Sequence, residues 1–269
     1  MTAWLLQCAP PVDGVPETRQ ERTARYALAQ MVNAATLPDT LVPRASAVIP
    51  QLMRSLRQES PSQIEWVNKV SRDQLLTAEV LRMARTAHFR TRENVRSLEA
   101  ALALIGQRGL QAAITRVVLK PILTAQSESQ AARAAERGWQ VSDVLGPDCA
   151  QRLHDQGLDW FDGFLAGTLW GIGRTAVLRT LDLARAPLPV PWSCTLDAYL
   201  DECSRALFGR LVVTWALSPV LTEAAQELTL APASMPRHPL ALALLEGEQH
   251  FLLTQTNREG EATPQPAPQ

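Results

Sequence analysis

The chain is predicted to be all-α on three observations. Apolar residues recur at spacings of three and four along most of its 269 residues, no stretch alternates with period two, and β-branched runs flanked by turn residues are missing. A one-sided apolar stripe is what a helix needs to bury one face against a neighbour. At this length a substantial core can form, and two lobes of about 100 to 150 residues each are expected.

Residues 1–16 contain Pro10, Pro11, Gly14 and Pro16 and read as an irregular lead-in. Residues 17–33, ETRQERTARYALAQMVN, have helix-forming composition with a mostly polar face, suited to docking or to seeking a partner. From Leu41 the pattern is firmly helical. Ser60-Pro61-Ser62-Gln63 and Ser71-Arg72-Asp73-Gln74 both fit a capping box, in which the Ser oxygen takes an orphan amide and the Gln reaches back. Pro61 would sit at a first helical position, where its missing donor costs nothing.

After Ser71, residues Leu76, Val80, Met83, Ala84 and Ala87 form one stripe. Leu98, Ala101, Leu102 and Ile105 form the next, and Leu110, Ile114, Val117 and Val118 a third, separated by Gly106 and interrupted by Pro121. A second helical region begins near Ala131, with breaks expected at Gly146-Pro147 and from Pro187 to Pro191. Phe164 to Leu178, FLAGTLWGIGRTAVL, reads as one buried helix, and a last helix runs from Leu240 to Leu253. The closing NREGEATPQPAPQ is too polar and proline-rich to offset its ordering entropy. The expected organisation is therefore an extension with a helix over 1–36, an N-terminal helical lobe over 37–125, a second helical lobe over 126–256 and a disordered tail over 257–269.

Charge excludes a general nucleic-acid or membrane role. The 26 basic and 27 acidic residues leave a net −1, so any such binding would need a local patch. The four cysteines, Cys8, Cys149, Cys194 and Cys203, show no C-x-x-C spacing, and there is no run of about 18 apolar residues. MTAWLLQCAP meets two prolines too early for a signal segment. A cytoplasmic chain with reduced thiols is expected.

The order of these segments resembles the HDOD family, noncatalytic relatives of the HD and HD-GYP phosphohydrolases of bacterial signalling proteins. LVPRASAVIPQLMRSL (41–56) resembles its Pro-containing opening and first helix, and IEWVNKVSRDQLLTAEVLRMARTA (64–87) its acidic, leucine-rich helix pair. SLEAALALIGQRGLQAAITRVVL (97–119) is similar to its S-L-x-x-A-I-x-x-L-G-x-x-x-L pair and is the most specific piece. Phe164-Leu165-Ala166-Gly167 with Ile172-Gly173-Arg174 resembles the F-L-A-G-L-L-H-D-I-G-K block, and Phe208-Gly209 with Trp215 to Pro219 the W-x-L-P junction. The resemblance spans roughly 37–232. It implies an HD-like fold in which an N-terminal helical lobe packs on a degenerate HD-type lobe.

Departures from the pattern carry the functional expectation. Arg85 and Thr86 stand where the family often has Asn-Ser. Trp170 and Gly171 stand where the resemblance places the His-Asp dyad, and Val141, in Trp139-Gln140-Val141-Ser142, stands where metal-binding relatives have His. An indole donates one hydrogen bond and ligates nothing, and glycine has no side chain. No metal or other cofactor and no catalytic residue is therefore expected. The implied role is signal transduction through a protein partner rather than catalysis, with nucleic acid and membrane not expected as partners.

Other candidates are weaker. His154-Asp155 is a literal His-Asp pair, but it lies near Gly157 in a polar stretch that reads as a helix end, away from the apolar helix. His88, His238 and His250 are isolated, whereas a hydrolytic site needs several converging ligands. Lys69, Arg72, Arg82, Arg85, Arg90, Arg92 and Arg96 outnumber Asp73, Glu79 and Glu93 locally. Arg82, Arg85, Arg90, Arg92 and Arg96 thus form a candidate anion or partner patch, whose alternative use is a nucleotide such as a cyclic dinucleotide; the plainer reading is a solvated helix face. Only His88 and Phe89 could stack on a base there, which makes RNA the poorer ligand. Most of the seven tryptophans, among them Trp139, Trp160, Trp170 and Trp215, are expected in the core. No G-x-S-x-G elbow or Cys-His pair marks a nucleophile, and the G-x-G of Gly171 and Gly173 is read as helix packing rather than a phosphate loop.

Overall fold

Polar side chains that cap helix starts set most element boundaries. The computed structural model describes residues 1–42, 67, 70–85, 97–123, 129–230 and 236–261. Among them are ten α-helices, one short 3-10 turn (Asp39–Leu41) and a lone parallel bridge between Val12 and Ser193. The chain divides into a smaller unit, Val42–Thr124, and a larger one built from Met1–Leu41 and Ala125–Gln269.

In the smaller unit, helices α3 (Gln74–Ala84) and α4 (Leu98–Leu123) pack together. The expected Ser71 cap is replaced by Asp73, whose carboxylate accepts from Leu75 N and Leu76 N at 2.9 and 3.1 Å. Asp is as good a cap as Ser and stands directly before the helix. The capping box at Ser60 lies outside the described residues. Val80, Met83 and Ala84 are buried as expected, as are Ala101, Leu102 and Ile105. Beyond Gly106, whose φ of 62° breaks the helical path, Ile114, Val117 and Val118 are only half-buried, and the covered face passes through Ala112, Ala113, Arg116 and Leu119.

In the larger unit, α1 (Thr2–Leu6) turns part of the expected lead-in into a helix, and α2 (Arg19–Val32) follows. Thr18 and Glu21 form a complete capping box, and Glu21 also accepts from Ser193 N at 2.6 Å. At the other end, Arg210 donates to the carbonyls of Met31, Val32 and Ala34, the orphan acceptors that close α2. Residues 1–41 are thus built into this unit.

The rest of that unit comprises α5 (Gln130–Asp155), α6 (Trp160–Leu169), α7 (Gly171–Leu183), α8 (Cys194–Trp215), α9 (Pro219–Leu230) and α10 (Pro239–Glu261). Helix α5 runs straight through Gly146-Pro147, where a turn was expected. Its Gly146 faces Phe164 and Thr168, and a Cβ there would come within 2.8 Å of Thr168 Oγ1. Burial against α6 outweighs the local turn preference. The expected break after Leu183 is present, and α10 continues to Glu261, past the predicted end at Leu253. Residues 262–269 of the expected tail lie outside the described residues.

Candidate functional site

The stretch expected as one helix is two. Trp170 ends α6 and begins α7 with helical dihedrals (φ −52°, ψ −42°). Close approach fixes both helices: a Cβ on Gly167 would strike the Leu145 carbonyl, one on Gly163 would lie 2.5 Å from Cys149 O, and one on Gly173 would strike Ser204 O. Gly171 differs, since its nearest neighbour would be Gly138 O at 3.8 Å. Packing therefore explains Gly173 and leaves Gly171 without a packing constraint.

Val141, Trp170 and Gly171 are brought together around one cavity, lined also by Leu5, Arg174 and Glu248. Its volume is about 20 Å³, room for about one water. Trp170 is 6 % exposed and meets Phe208 edge-on with centroids 5.0 Å apart. Its indole Nε1 donates to Glu248 Oε2 at 3.0 Å. Trp170 thus fills space and also holds a carboxylate.

Arg174 lies one turn further along α7 and is almost fully buried. Its Nη2 donates to Glu248 Oε1 at 2.8 Å, and its Nη1 to Asp201 Oδ1 at 2.5 Å and to Thr2 Oγ1 at 2.9 Å. Burial works against its charge, but Glu248 and Asp201 more than restore it and raise its pKa. For Asp201, burial pushes the carboxyl up and Arg174 outweighs that, holding it below the usual range. The sequence reading passed over Asp201 and Glu248, which stand 27 and 74 residues beyond Arg174. A charge on the apolar face at Arg174 was the available signal, because a buried guanidinium requires carboxylate partners.

This donor set does not fit a divalent metal. Val141 and Gly171 offer no donor, Trp170 presents an N–H, and both oxygens of Glu248 are engaged by Trp170 and Arg174. The positive charge of the cavity is the guanidinium itself. Among the described residues, no three His, Cys, Asp or Glu side chains are grouped so that they could hold a metal ion.

His154 and Asp155 are exposed at the end of α5, where Asp155 accepts from Gln151 and Gly157 adopts a φ of 72°. Of the basic patch, Arg82 and Arg85 are described, while Arg90, Arg92 and Arg96 lie outside the described residues. Arg82 donates to both oxygens of Glu79 at 2.9 and 2.6 Å, and buried Arg116 donates to the same carboxylate. Arg85 is exposed at the C-terminal end of α3. Trp139, Trp170 and Trp215 are buried, whereas Trp160 is half-buried and stacks on Phe164. Burial pushes the thiols of Cys149 and Cys203 up to about 12 and about 11, so neither supplies a thiolate at neutral pH.

The HDOD domain family model matches residues 42–189, more than half of the chain. The chain belongs to the HDOD family. This HDOD protein is also similar in fold to a crystal structure from Shewanella amazonensis SB2B that is described as a candidate metal-dependent phosphohydrolase. The two share 15 % identity with a TM-score of 0.61, over 88 % of this chain and 85 % of the other, a likeness of fold alone. No curated protein matches the chain in sequence. No helix among the described residues is long and apolar enough to cross a membrane.

Proposed function

We propose that this HDOD protein is a non-enzymatic bacterial signal-transduction regulator that acts through contacts with a partner protein, and that its Trp170 cavity is a former metal site turned into core. The observation that supports this most is the content of the cavity. Where the family resemblance places ligands there is an indole, a glycine and a valine, and the neighbouring carboxylate is committed to Arg174 and Trp170. A cation entering here would have to displace a buried guanidinium from its partners, at a cost of several kcal/mol (about 3–5). The HD-type frame then serves as a rigid surface rather than as a reaction vessel.

The nucleotide alternative would rest on the Arg82 to Arg96 patch, and the pairing of Arg82 with Glu79 lends it no support. A residual phosphohydrolase at His154-Asp155 would have to work from an exposed helix end. One experiment tests the regulator reading from both sides. The purified chain, supplied with Mn²⁺, Fe²⁺ or Mg²⁺, should hydrolyse neither a chromogenic phosphodiester nor a cyclic dinucleotide, and as bait in its native cells it should recover one defined protein. Metal-dependent turnover, or recovery of nothing above a bait-free control, would overturn the proposal.

A further inference from the structure

The cavity behind Trp170 is closed from one side by residues of α1, and these are held as a removable part would be. A five-residue helix is far too short to persist alone in water, so α1 takes its form from what it lies on. Thr2 is fully buried against Arg174, and Leu5, 4 % exposed, lines the cavity. The Trp4 ring meets Phe251 edge-on at 5.1 Å and lies 4.7 Å beneath the guanidinium of Arg137, which also donates to Trp4 O at 2.7 Å.

Two features oppose this seating. Trp4 Nε1 is buried with no hydrogen-bond partner among the described residues, a group that would gain one on release. Gln7, which ends α1, holds a left-handed φ of 54° that a non-glycine residue adopts at a cost. Beyond it, Pro10 and Pro11 lead to Val12, whose N–H donates to Trp192 O at 2.8 Å and whose carbonyl accepts from Cys194 N at 2.9 Å. Val12 is an anchor, so residues 1–11 can leave and return on a tether.

We infer that residues 2–7 are a displaceable plug, and that the groove they fill takes a short helical segment of the partner protein. This rests on the partner-protein reading above. The plug shows what the groove recognises: a hydroxyl for Arg174, an aromatic ring for Phe251 and Arg137 two residues on, and a leucine for the cavity next to it. A tethered plug competes at high effective concentration, which keeps the groove closed until a partner with this pattern is present.

The test uses the full chain carrying Trp4→Asp and Leu5→Asp, and as probe a labelled, N-acetylated TAWLLQ peptide. The variant should bind the peptide saturably, and the unaltered chain at least about a hundredfold more weakly. A variant with native circular dichroism and melting that binds no peptide overturns the plug. Should the variant not fold, hydrogen exchange on the unaltered chain decides: amides of α1 should exchange by local opening at least about a hundredfold faster than those of α7, and exchange of both at one rate contradicts the proposal. A concentration-dependent dimer of the unaltered chain, dissolved by the two substitutions, would overturn the partner assignment in favour of a second copy. Turnover in the hydrolysis assay would remove the regulator reading without touching the peptide result, so the two failures are distinguishable.

Discussion

Arg174 connects three parts of the larger unit: Asp201 on α8, Glu248 on α10 and Thr2 on α1. Removing it leaves two carboxylates around a cavity without their cation, so Arg174→Ala should cost about 3–5 kcal/mol in urea unfolding. Arg174→Lys should recover part of that, since an ammonium cannot span the same fork. Asp201 gives this contact a pH signature. Its folded pKa is depressed, so its contribution is fully present above the unfolded value of about 3.9 and is lost as pH falls through the folded value. Acid unfolding of the unaltered chain should therefore steepen below about pH 4, and Arg174→Ala should flatten that slope. An unchanged slope would mean that Asp201 draws its stabilisation elsewhere. Trp170→Ala should cost about 3–5 kcal/mol through the cavity it opens, and should leave Glu248 short of one donor.

At the scale of elements, α5, α6 and α7 meet through small residues, and two glycines should behave oppositely. Gly167→Ala would drive a Cβ into the Leu145 carbonyl, part of a backbone that cannot step aside, and should destabilise by about 1–3 kcal/mol or more. Gly171→Ala meets open space at the first turn of α7 and should be neutral or stabilising by up to about 1 kcal/mol. Thermal melting of the two variants checks the pair. The helical class and the stripes of α3 and early α4 were legible because they depend on local periodicity. The split at Trp170 and the uninterrupted passage of α5 through Gly146-Pro147 were not legible, because packing of α5 on α6 decides both. The same reason hid Asp201 and Glu248: they join the site only through long-range contacts, whereas Val141, Trp170 and Gly171 were visible as departures from a pattern.

At the scale of the whole molecule, the larger unit is discontinuous in sequence, with residues 1–41 completing what 125–269 builds. A lead-in with a partner-seeking helix was the sequence expectation, because the mostly polar composition of 17–33 conceals how firmly its few apolar positions and Glu21 are held. Burial pushes the Glu21 carboxyl up, and the amides of Thr18 and Ser193 more than offset this and bring it below the usual range. Glu21→Ala should therefore lower global stability by about 1–3 kcal/mol in urea unfolding, whereas an appended helix would leave it unchanged.

The central claim, that the Trp170 cavity is core rather than a metal centre, is tested most directly by melting the purified chain in rising Mn²⁺, Fe²⁺ and Zn²⁺ with parallel elemental analysis. The account predicts no stoichiometric metal and a midpoint that stays in place at every concentration. A metal retained in stoichiometric amount, with a midpoint climbing as the logarithm of its concentration by about 5 °C or more at a hundredfold excess over its dissociation constant, would contradict it.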